Sequence, residues 1–98
     1  MSLRYFHRTS VTPEVVLAEA DRFFTRTLAI SDTGLRTRTY AGTIGRVALT
    51  VGMEGGHYTR VTIETDQMGE SEADKLAKRF LAVVHKKAEP DHELRGAY

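Results

Sequence analysis

The stretch RVALTVGMEGGHYTRVTIETD, Arg46 to Asp66, alternates apolar and polar residues on either side of a Glu-Gly-Gly break. Val47, Leu49, Val51 and Met53 fall on one side of an extended chain, and Arg46, Ala48, Thr50 and Gly52 fall on the other. Val61 and Ile63 alternate in the same way with Arg60, Thr62 and Glu64. A period of two makes each arm a strand with one apolar face, so residues 46–53 and 57–66 are expected to pair as an antiparallel hairpin.

On its N-terminal side, residues 35–43 alternate too, and Gly42-Thr43-Ile44-Gly45 is short enough to turn that strand into the hairpin. Ser31-Asp32-Thr33-Gly34 before it is a cluster of turn formers. Further back, Thr12-Pro13-Glu14 predicts a helix start. Thr caps free amides, Pro fits the first helical position, and Glu suits the positive end of the dipole. The spacing of Val16, Ala20, Phe23, Phe24 and Thr27 carries this helix to about Leu28, leaving Glu14, Asp21, Arg22 and Arg26 for water. Residues 3–9 read as a first strand, with Leu3, Tyr5 and His7 on one side and Arg4, Phe6 and Arg8 on the other.

On its C-terminal side, Ser71 and Asp74 stand in the spacing of a capping box. Ala73, Leu76, Ala77, Phe80, Val83 and Val84 then give an apolar stripe, with Lys and Arg around the rest of the helix, which Pro90 ends. Residues 91–98 have no period and read as a flexible tail. The order β-α-β-β-β-α makes one α+β domain over residues 1–90: a four-stranded antiparallel sheet with two helices on one face.

Composition narrows the chemistry. The 98 residues are 41% hydrophobic and 28% charged with a net charge of +1, which is ordinary for a globular domain. No apolar run approaches the ~20 residues of a spanning helix, and the first residues lack a secretory signal, so a cytoplasmic protein is expected. The absence of cysteine removes thiolate nucleophiles, disulfide scaffolds and cysteine-based metal sites. His7, His57, His85 and His92 are scattered, with no metal-ligand spacing among them. No nucleophile elbow, phosphate loop or dinucleotide fingerprint is present. Neither a catalytic residue nor a metal or cofactor site is therefore assigned.

What remains is arginine at every second position among threonine and tyrosine. If the apolar residues of each strand face the helices, Arg4, Arg8, Arg36, Arg38, Tyr40, Arg46, Tyr58 and Arg60 share the outer face of the sheet, beside Phe6, Thr62, Glu64 and Asp66. Arg is the residue for planar contact with carboxylate, phosphate or an aromatic ring. This face reads as a solvated surface, as a self-association or docking surface, or as a nucleic-acid platform with aromatic rings stacking on bases. The expectation is a small non-catalytic module that dimerises or docks on a larger assembly through this face or its edge.

A first strand running at once into Ser10-Val11-Thr12-Pro13-Glu14-Val15-Val16 and a helix, together with the long amphipathic C-terminal helix, resembles the START and Bet v 1-like helix-grip superfamily. The run from His7 to Phe23, and Gly42-Thr43-Ile44-Gly45 leading into a valine-rich hairpin, resemble a shortened form: small bacterial proteins of the polyhydroxyalkanoic acid system family. The resemblance implies an alternative function, binding of an apolar small molecule between sheet and helices, with Tyr5, His7, Phe23, Phe24 and Phe80 lining the cavity.

Overall fold

In the computed structural model, residues 3–88 are described. They run as β1 (Leu3–Thr9), α1 (Pro13–Phe24), β2 (Ala29–Thr33), β3 (Thr37–Gly42), β4 (Gly45–Glu54), β5 (Tyr58–Thr65) and α2 (Glu72–Ala88). The sheet has five antiparallel strands in the order β1-β5-β4-β3-β2, so the first strand lies beside the last and the others form a meander. The expected tail, residues 91–98, and the helix stop at Pro90 lie outside the described residues.

The turns are local chemistry. Gly55 and Gly56 take φ of 65° and 77°, a region cheap only for glycine, and so allow β4 to fold back into β5. At the start of α1 the Thr12 side chain accepts from the Val15 N–H at 3.4 Å, and Pro13 occupies the first helical position. At the start of α2 the Ser71 hydroxyl accepts from the Asp74 N–H at 3.1 Å. The reciprocal arm differs from a capping box, because the Asp74 carboxylate takes the Glu70 N–H at 2.9 Å.

Val16, Leu17, Ala20 and Phe24 of α1 and Leu76, Ala77, Phe80 and Val84 of α2 are buried with Val47, Leu49, Val51, Val61 and Ile63 in one core. Both helices therefore cover the same side of the sheet, as the hairpin pattern required. Phe24 stacks on Tyr40 with centroids 4.8 Å apart and meets Phe80 at 5.1 Å, while Phe23 meets Phe80 at 5.7 Å. Aromatic pairs at these distances add about 0.5–1.5 kcal/mol each beyond their area.

Five strands replace the expected four. Helix α1 stops at Phe24 rather than Leu28, where the Thr25 N–H and hydroxyl both close on the Asp21 carbonyl and the Leu28 N–H returns to Phe24 at 2.7 Å. Leu28 drops into the core, and residues 29–33 pair with β3. Every residue of β2 is exposed, so no apolar alternation marks it in the sequence. The strand exists because the free edge of β3 offers hydrogen bonds.

No helix among the described residues is long and apolar enough to cross a membrane.

Candidate functional site

The side of the sheet that the helices leave uncovered is built by strand parity. β1 presents Arg4, Phe6 and Arg8 there, β5 presents Tyr58, Arg60, Thr62 and Glu64, and β4 presents Arg46, Ala48, Thr50, Gly52 and Glu54. The centre is low because its residues are small. A Cβ added at Gly52 would meet nothing within 4 Å. Arg4, Phe6, Thr50, Gly52, Arg60 and Thr62 are among the residues bordering a recess of about 470 Å3, and an adjoining hollow shares Phe6, Glu54 and Arg60.

Charge and aromatic rings are interleaved around this recess. The Arg60 guanidinium sits 4.4 Å from the centre of the Phe6 ring, and that of Arg8 sits 5.6 Å from the Tyr58 ring. Both rings remain about half exposed, at 54% and 47%. Arg4 pairs with Glu64, directly across from it on β5, at 3.1 Å. Arg8 and Arg60 share Glu54, which touches Arg8 with one oxygen and approaches Arg60 to 3.8 Å with the other. Stacked and paired in this way, the arginine heads are held in place while keeping an open side to solvent.

The expected set of outward residues divides. Arg4, Arg8, Arg46, Tyr58 and Arg60 lie on the open face, but Arg36, Arg38 and Tyr40 face the helices. The reason is register: Arg38 stands opposite Leu49 and Tyr40 opposite Val47, which are core positions. Tyr40 is fully buried, donating its hydroxyl to Asp21 on α1 at 2.8 Å. Arg38 meets the same carboxylate at 3.1 Å, and Arg36 lies 3.6 Å from Glu14. Burial first, and the Asp21 carboxylate second, push the Tyr40 phenol far above its usual range. These three residues fasten β3 to α1 and are withdrawn from the docking set. Asp66, also expected on the face, follows β5 and accepts the Arg46 N–H at 2.8 Å, which holds its carboxyl below the usual range.

The expected cavity residues are also placed. Phe24 and Phe80 are fully buried against each other, and Phe23 packs beside them. Tyr5 donates to the fully buried carboxylate of Asp74, which Lys78 approaches to 3.1 Å. The Tyr5 hydrogen bond, joined by the Glu70 N–H and Lys78, holds the Asp74 carboxyl below its usual value against the opposing effect of burial. The same contact raises the Tyr5 phenol, and Asp74 and Glu70 raise Lys78. His7, half-buried, packs edge-on against His85, and burial followed by that neighbour lowers its pKa.

No group of three or more histidine, aspartate and glutamate side chains suited to a metal occurs among the described residues. Gly52 falls on the outward side of the alternating strand, but neither it nor Glu54 is among the expected docking residues. A glycine inside a strand that needs no turn was the available signal for Gly52.

No family model matches this sequence, and no curated protein does.

Proposed function

We propose that this protein is a binding module whose open sheet face docks another protein chain, in the first instance a second copy of itself. The observation that carries the reading is the recess floored by Gly52 and walled by Phe6 and Arg60. A half-exposed aromatic ring carrying a fixed arginine is the composition favoured at the centre of protein interfaces, where Tyr, Phe and Arg are enriched. The surrounding Ala48, Thr50 and Thr62 give a flat surface that another sheet or helix can approach closely.

A protein partner fits this face better than nucleic acid does. Of the four arginines on it, Arg4, Arg8 and Arg60 already share Glu54 and Glu64, and Arg60 occupies one side of the Phe6 ring. A phosphate backbone is bound by cations in excess, with aromatic faces free for bases. An apolar ligand between sheet and helices, the function implied by a helix-grip resemblance, is disfavoured by the rings of Phe23, Phe24, Phe80 and Tyr40 that meet there.

Gly52→Val is the probe. It adds a β-branched residue where the backbone has room, so the strand tolerates it while the floor of the recess fills. Light scattering or sedimentation at high micromolar concentration is expected to give a dimeric mass for the unaltered chain and a monomeric mass for Gly52→Val and Phe6→Ser. A monomeric mass for the unaltered chain, or a dimer that survives both changes, overturns the reading.

A further inference from the structure

His7 projects from the helix-facing side of β1, and His85 stands in the last turn of α2. Their rings are 6.1 Å apart, centroid to centroid, with planes at 77°. Among the described residues neither ring makes a hydrogen bond to another protein group, so these nitrogen atoms contribute no pairing to the fold. Both rings open on a recess of about 360 Å3 that Thr9, Ser10 and Tyr58 also line, large enough for several waters.

We propose that His7 and His85 form a two-imidazole site for a borderline divalent transition metal of the Zn2+, Ni2+ or Cu2+ type, with water completing the coordination. The spacing suits one ion between the rings. With metal–nitrogen bonds of about 2.0–2.1 Å, each ring centre lies about 3.2 Å from the ion, so two rings on one ion have centres about 5–6.4 Å apart. Imidazole nitrogen selects these metals over Mg2+ and Ca2+, which require oxygen donors, and among the described residues no carboxylate borders the recess. The field at the site tolerates a cation. His85 lies at the negative end of the α2 dipole, and the nearby cations Arg8 and Lys87 are paired with Glu54 and Glu19. Bound metal would tie the end of α2 to the edge strand β1, two elements remote in sequence, and so stabilise the folded chain by linkage.

The test is titration of the folded, full-length protein with ZnCl2, followed by nitrogen-15 NMR of the histidine rings and by thermal unfolding. The His7 and His85 ring signals are expected to shift together and saturate at one ion per chain, with Tm rising in parallel. His7→Gln and His85→Gln should each weaken binding about tenfold or more and abolish the rise in Tm, since loss of a mere supporting residue at a metal site costs that much. His57→Gln should leave both unchanged. Both site histidines are at least partly exposed, so the variants should fold, and their amide spectra verify this. Absence of any shift at millimolar Zn2+ overturns the proposal. So does binding that persists in His7→Gln and His85→Gln, or that is lost in His57→Gln.

Discussion

Arg8 and Arg60 stand directly opposite each other on β1 and β5, and the carboxylate of Glu54 on the next strand reaches both. Like charges directly across a sheet repel, so the arrangement is tolerable only with the acid between them.

Glu54→Gln is therefore expected to cost about 0.5–1 kcal/mol, as for partly exposed ion pairs. The cost should shrink at high salt and nearly vanish in an Arg8→Gln background, where the repulsion is gone. Urea unfolding of the three variants decides this. A cost unaffected by salt or by removal of Arg8 would mean that Glu54 acts through packing instead.

Tyr40 and Asp21 hold β3 against α1. Tyr40→Phe keeps the ring stacked on Phe24 and deletes only the hydroxyl, so its expected cost is about 1.5–3 kcal/mol, typical of a hydrogen bond to a charged group. Asp21→Ala should cost more, about 3 kcal/mol or above, because it strands both the Tyr40 hydroxyl and Arg38, whose side chain is 16% exposed. Denaturant midpoints rank the two, and the reverse order would count against the staple.

Asp74 links stability to acid. Its folded-state pKa lies below the unfolded carboxylate value of about 3.9, so its contribution is complete above that pH and disappears as pH falls further through the folded value. Asp74→Asn should lower stability at neutral pH and flatten the acid limb of the stability profile. Tyr5→Phe should do the same more weakly. Thermal unfolding from pH 2 to 7 measures both, and an unchanged acid limb in Asp74→Asn would sink the assignment.

Two glycines of one hairpin should respond oppositely to alanine. Gly56, at φ 77°, is expected to lose about 1 kcal/mol on Gly56→Ala. Gly52 lies within regular β4 with open space beside it, so Gly52→Ala should be neutral or gain about 0.5 kcal/mol. Melting temperatures of the two variants test the contrast.

Caps, turns and the apolar hairpin were legible in the sequence because each is encoded within a few residues: Thr12-Pro13, Ser71 with Asp74, and the alternation from Val47 to Ile63. The orientation of β3 was not. Arg36-Thr37-Arg38-Thr39-Tyr40 offers polar side chains to both sides, and arginine by itself suggests the outside. Asp21, seventeen residues before Arg38, is the acid that turns that side inward, and nothing in the local pattern announces it. β2 was hidden for the complementary reason, since a wholly exposed strand buries no apolar face. Of the open face, the aromatic and basic members could be read from alternation, but the recess could not. It depends on Gly52 and Glu54 meeting Phe6 and Arg60 across three strands.

The register slip between Ile30 and Asp32 leaves β2 irregular at its middle, and Asp32 places a negative charge beside it. A smooth, neutral, fully exposed strand would template further copies of itself edge to edge. The bulge breaks the even ladder such growth needs and adds local twist, while the charge repels an identical strand brought alongside. The β2 edge of the sheet is thus poorly suited to the addition of further strands.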